Sequence, residues 1–157
     1  MLTVGSVIEQ RVVDVDYQGQ GVIKHDGYVI FVPKLLNNEL AKIKITKVKK
    51  NFCKAKVLEI IEPSDNRSDV SSELDALNLY HMKPTTQISW QERITVETFK
   101  KIADIDVTLG KTISDDRYEN YRNKSVFHVI DDSTLRLGLY DTSKDNLIDI
   151  NSFVLSD

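Results

Sequence analysis

The sequence predicts a mainly β protein of α+β class: a small barrel of five short strands, then a smaller α+β unit with a mostly antiparallel sheet. Three observations predict it. Residues 1–62 hold five β-rich runs joined by tight turns, with no room for a helix between them. A polar run from Pro63 to Glu73 then breaks the apolar patterning. Beyond it, a stretch without Gly or Pro from Thr85 to Asp104 precedes four further β-rich runs.

The elements follow in order. Residues 3–15 read as the first strand, with Val4, Val7, Val12, Val13 and Val15 supplying β-branched bulk. Asp16 to Gly21 reads as a tight turn, its glycines permitting positive φ. Val22–His25 and Tyr28–Val32 flank Asp26-Gly27, a strong short signal for a hairpin. Pro33 ends the second of these strands, since proline cannot donate to a ladder. Two more strands fall near residues 40–48 and 52–61. A closed barrel of this size resembles the OB fold, a frequent nucleic-acid binder, although fold alone does not fix function.

The helix over 85–104 has Thr86 and Ser89 as candidate N-caps, and Ser89 with Glu92 matches a capping box. Trp90 with Ile94, Phe99 with Ala103, and Val96 are spaced to face a sheet. The later strands fall at 107–109, 124–130, 135–140 and 147–150, with polar turns at 131–133 and 141–146. The domain division is therefore 1–62, a linker over 63–84, and 85–157.

Charge divides the chain at the same place. Residues 1–62 carry ten Lys or Arg against seven Asp or Glu, and residues 63–157 carry eleven against seventeen. Within the basic part, Lys42 to Lys56 contains seven lysines and no acidic residue. Lys42 and Lys44 alternate with Ala41, Ile43 and Ile45, and Lys54 and Lys56 alternate with Cys53, Ala55 and Val57. Strand side chains alternate faces, so the lysines point outward while the apolar residues enter a core. Together with Lys47, Lys49 and Lys50 they form a sheet-borne patch suited to a polyanion, because each phosphate contact releases condensed counterions. The competing explanation is an exposed edge that uses lysine to block strand pairing.

Several classes are excluded or disfavoured. No run of about eighteen apolar residues occurs, so no membrane partner is expected. The N-terminus lacks a basic lead and an apolar signal core. The single cysteine, Cys53, rules out an internal disulfide and fits a reducing, cytoplasmic compartment. It sits on the apolar side of its strand with no His or Asp at catalytic spacing, so it reads as a buried hydrophobe and no catalytic residue is assigned. His25, His81 and His128 are scattered and form no ligand pair, so no metal site is assigned. Gly19-Gln20-Gly21 precedes a strand, not a helix, and so is no dinucleotide loop. Tyr17, Tyr28 and Phe31 are the aromatic candidates for stacking on unpaired bases. Tyr28 shares a strand face with Ile30 and Val32, and Phe31 shares the other with Val29, so at most one of the two is exposed if one face is buried.

The run from Asp14 to Pro33, with its Gly-Gln-Gly turn, Asp-Gly hairpin and Phe31-Val32-Pro33 strand end, resembles the TRAM domain of RNA uracil-5-methyltransferases. Tyr121-Arg122-Asn123-Lys124, Leu137 to Tyr140 and Asp149-Ile150 resemble that family's central domain, in the right order. The resemblance covers nearly the whole chain and the N-terminal third or so of a full-length enzyme. It implies an RNA-binding region, with ribosomal RNA as the expected partner. Arg122 and Lys124, of equal strand parity, join the lysines as candidate phosphate contacts. Between the two domains many family members carry a Cys-x5-Cys-Gly-Gly-Cys motif that holds an iron–sulfur cluster. Aligning His81 and Gln87 with the family puts Ser68, Leu74 and Leu77 at the three cysteine positions, so no cluster is expected and 63–84 reads as a degenerate cluster region. Packing by Leu74, Leu77 and Leu79 is expected to replace its structural role. The family's S-adenosylmethionine-binding catalytic domain, with its nucleophilic cysteine and base, is expected to be absent from this chain. The alternatives are a stand-alone RNA-binding module or truncated protein, and a structural scaffold whose lysines serve solubility.

Overall fold

The computed structural model describes residues 2–70, 73–131, 134–141 and 144–156. Strands β1 (Val7–Arg11), β2 (Asp14–Val15), β3 (Gln20–His25), β4 (Tyr28–Pro33), β5 (Leu40–Val48) and β6 (Phe52–Glu62) form one curled sheet in the order β1-β5-β6-β4-β3-β2. All pairings are antiparallel except β4 with β6. β1 and β2 are halves of the single strand expected over 3–15. The chain bends between them at Val12-Val13, where the Val12 N–H donates to the Glu39 carbonyl and the Val13 N–H to the Val22 carbonyl. Counted as one bent strand, they make the neighbour order return on itself, which is the expected five-stranded OB-like arrangement.

The expected alternation is present. Ile23, Ile30, Val32, Ala41, Ile43, Ile45 and Cys53 point inward and are essentially inaccessible. Burial pushes the Cys53 thiol up, as a small core hydrophobe requires. Asp26 and Gly27 both adopt positive φ, giving the tight hairpin between β3 and β4. The Gly-Gln-Gly turn is structural. Gly19 has φ of +77°, and a Cβ there would lie 2.5 Å from the Leu79 side chain. A Cβ on Gly21 would lie 2.6 Å from Leu35 Cβ.

The linker is stitched onto the barrel by one buried ion pair. The Glu39 side chain is wholly buried. Its Oε1 accepts from Arg67 Nε at 2.6 Å and the Ser64 N–H at 3.1 Å. Its Oε2 accepts from Arg67 Nη2 at 2.7 Å and the Leu36 N–H at 2.8 Å. Arg67 also donates to the Lys34 carbonyl at 2.7 Å. His81 lies in the same interior, and neither imidazole nitrogen has a protein hydrogen-bond partner. Burial first, and the nearby Arg67 charge second, lower its pKa to about 4.

Helix α1 (Pro84–Ala103) starts earlier than the capping pattern indicates. Proline takes the first turn and Lys83 precedes it without a side-chain cap, while Ser89 Oγ donates back to the Thr85 carbonyl. Only the first half of the helix packs. Trp90 rests with Met82 against Val15 and Leu36, and its indole N–H donates to the Asp16 carbonyl at 3.0 Å. Arg93 donates to the Val15 carbonyl at 2.5 Å and pairs with Asp14 at 3.3 Å. Val96, Phe99 and Ala103, expected against a sheet, are exposed because the helix faces the barrel flank across a groove of about 450 Å³.

Beyond the helix, residues 104–127 form no strand. The strand expected at 107–109 is absent, and that expected at 124–130 is reduced to β7 (His128–Asp131). β8 (Leu135–Tyr140) and β9 (Leu147–Asp149) match the expected strands, and β7-β8-β9 form an antiparallel sheet. The polar turns between them lie partly outside the described residues, at 132–133 and 142–143. Leu74 and Leu77, flanking a single 3₁₀ turn, build this sheet's core with Phe153 and Leu155. Leu79 packs elsewhere, beside Val15, Leu36 and Met82.

Glu39→Gln leaves the buried Arg67 charge uncompensated and should lower the unfolding free energy by about 3 kcal/mol, read from a urea titration. His81 also sets a pH dependence. Its folded pKa lies below the unfolded value, so the unfolded chain binds the extra proton. The contribution is complete above the ordinary imidazole value of 6.5 and is lost as pH falls toward about 4. Over that window the loss should be about 3 kcal/mol and should vanish in His81→Leu.

Candidate nucleic-acid interface

Register decides what the lysine run builds. Lys44 lies directly opposite Lys56, and Lys47 directly opposite Lys54. Alternation would turn Lys47 inward if β5 were regular, since Lys42 and Lys44 already point out. A bulge between Ile45 and Lys47 resolves this. Thr46 is the extra residue; its hydroxyl donates to the Lys54 carbonyl at 3.1 Å. Past the bulge Lys47 faces solvent and Val48 packs on the core. Lys49 and Lys50 cap the turn, where the Lys49 N–H donates to the Phe52 carbonyl at 2.8 Å.

Six of the seven lysines thus form one outward field over β5, β6 and their turn. Lys42 is the exception. It is half-buried, with Glu9 of β1 on one side and Glu59 of β6 on the other. None of the seven makes an ion pair among the described residues. Lys44 and Lys54 do not guard a sheet edge either. Lys44 sits between Val7 and Lys56, and Lys54 between Phe31 and Lys47. Like charges placed directly opposite repel, so this arrangement costs stability that an arriving polyanion would recover.

Arg122 and Lys124 do not share a strand face, because residues 121–124 form no strand. The segment is held instead by backbone bonds, from the Asn120 N–H to the Val154 carbonyl and from the Arg122 N–H to the Leu155 carbonyl. The Arg122 guanidinium stands 6.0 Å from its neighbour's ring, Tyr121. Both cations are exposed.

The structure also settles the aromatic question. Tyr28 points inward with Ile30 and Val32, Tyr17 is exposed in the turn, and Phe31 lies on the outer face. Its ring meets Phe52 at 6.0 Å, edge to face. Phe52 was not among the expected residues, although it shares strand parity with Lys54 and Lys56. Lys24, exposed on β3, lies on the same side of the sheet beyond Val29.

The structure thus defines a small OB-like β barrel with an outward lysine field. The TRAM domain family model matches residues 2–58, and the chain carries a TRAM domain at its N-terminus. It is 31% identical over 95% of its length to an uncharacterized RNA methyltransferase of Halalkalibacterium halodurans, and 32% identical over 94% to one of Staphylococcus epidermidis. An uncharacterized RNA methyltransferase of Lactiplantibacillus plantarum is 30% identical over 98% of the chain. The chain spans about a third of the length of these relatives, 34%, 34% and 35% in turn. The solution structure of a conserved Methanococcus maripaludis protein is 29% identical, with 37% of this chain and 83% of that one covered at a TM-score of 0.36. Among the described residues no helix is long and apolar enough to cross a membrane.

Lys56→Glu turns the repulsion with Lys44 into attraction and should raise stability by about 0.5 kcal/mol at low salt. The gain should shrink toward zero in 1 M salt, where the screening length falls to about 3 Å. Unfolding curves of both proteins at the two salt levels check this.

Proposed function

We propose that this chain is the RNA-gripping region of an RNA uracil-5-methyltransferase acting on ribosomal RNA, with methyl transfer carried out by residues outside these 157. The observation that carries the reading is the register that sets Lys44 against Lys56 and Lys47 against Lys54 on the outer face of a TRAM barrel. Phosphate contacts from such a field position RNA without reading its bases. Arg122 and Lys124 lie on the other unit and would extend the phosphate contacts.

S-adenosylmethionine is the methyl donor that this reaction class requires, and the reading places its binding outside this chain. The linker does not fit an iron–sulfur cluster. Leu74 and Leu77 offer no thiolate and are committed to the core around Phe153 and Leu155, while Cys53 is sealed in the barrel. In this reading the apolar core holds the linker in the cluster's place.

The test is equilibrium binding to a structured ribosomal RNA fragment across a salt series. Wild type should bind with a log–log slope of about −0.7 to −0.9 for each phosphate neutralised. Changing Lys44, Lys47, Lys54 and Lys56 together to Ala should flatten the salt slope by up to four contacts' worth and leave the part that Lys49, Lys50, Arg122 and Lys124 carry. Lys42→Ala, whose charge is already offset by Glu9 and Glu59, should change binding least. Binding untouched by the four changes would sink the lysine assignment, and methyl transfer by the purified chain would sink the placement of catalysis outside it.

A further inference from the structure

We infer that the Phe31–Phe52 pair is a stacking platform for an unpaired RNA base, with the lysines around it taking the phosphates on either side. The inference rests on the RNA-binding reading and adds the form of RNA that the face selects.

Three observations meet here. First, both rings are on the outer face. Their strand neighbours Ile30, Val32 and Cys53 are fully buried, and neither ring belongs to any of the hydrophobic cores. Second, the rings belong to parallel neighbours, β4 and β6, paired so that Val29 faces Phe52 and Phe31 faces Lys54. This sets the two rings 6.0 Å apart at 71°, so they leave differently oriented surfaces side by side instead of covering each other. Third, cations ring the pair. Lys54 adjoins Phe31, Lys47 lies one strand further, Lys49 precedes Phe52 across the turn, and Lys24 stands on the β3 side.

Half-buried aromatic rings amid unpaired lysines are poorly matched to water, and they match a nucleotide. A base presents a flat π face and its neighbours present phosphates. Duplex RNA keeps its base faces stacked inside and would engage only the lysines. An unpaired base engages both, and such stacking is tolerant of base identity.

The experiment compares a single-stranded RNA octamer carrying 2-aminopurine with a blunt RNA duplex of equal length, and with polyglutamate as a charge-only competitor. On wild type the 2-aminopurine fluorescence should be quenched on binding, a direct sign of stacking that needs no variant. Phe31→Leu and Phe52→Leu keep apolar bulk but remove the π face. Each should weaken single-strand binding by roughly 10-fold or more with the salt slope unchanged, while Phe31→Tyr and Phe52→Tyr restore it. Duplex binding should not change. Absence of quenching, equal losses for single strand and duplex, no loss in either Leu variant, or polyglutamate competing as well as RNA each overturn the platform. If those results come with lysine-dependent RNA binding intact, the RNA reading survives. If wild type binds no RNA at low salt, both fall.

Discussion

Much of the architecture depends on Glu39. Its backbone carbonyl accepts from Val12 where the first strand bends, so the same residue helps return the sheet upon itself. Its carboxylate is buried and takes four hydrogen bonds, two of them from Arg67. A carboxylate cannot be held there without such partners, so the linker must dock for the barrel to keep its shape. The docked linker in turn delivers Leu74 and Leu77 to the second core and Leu79 onto Gly19. The two halves of the molecule are therefore joined through a shared interior.

That anchoring explains how the barrel tolerates its lysine field. Facing lysines would pull a marginal two-stranded ribbon apart. Here β5 and β6 bury Ala41, Ile43, Ile45, Cys53 and Ala55 on the opposite face, and burial of that much apolar surface outweighs a repulsion already weakened by water. The lysine field is carried on the outside of the strands whose inside contributes much of the core.

Strand content in the barrel was legible because one face is buried and the alternation is clean. Asp26-Gly27, Pro33 and the limits of β5 and β6 follow from local chemistry alone. The bulge at Thr46 was not legible, since inserting a residue is a tertiary accommodation that leaves no composition signature. The acidic flanks of Lys42 depend on register between distant strands, and so does the meeting of Phe31 with Phe52. The second unit was read less well. Residues 107–109 and 124–127 were expected as strand but have no partner strand to complete a ladder, and propensity without pairing does not make a strand. Glu39 gave no warning in sequence, because its significance arises only when Arg67 arrives from 28 residues away.

The Thr46 bulge acts as a change of phase in the alternation of β5. Before it, even-numbered lysines look outward; after it, an odd-numbered one does. Most substitutions leave that phase alone, because side chains change and faces do not. Loss of one residue between Lys44 and Lys47 would be another matter. It would either erase the bulge, restoring a regular ladder with the outer lysines still in step, or displace Lys47 into the core and Val48 out of it. This strand is therefore more sensitive to its length than to its composition, and related chains are expected to vary in their lysines here more freely than in their residue count.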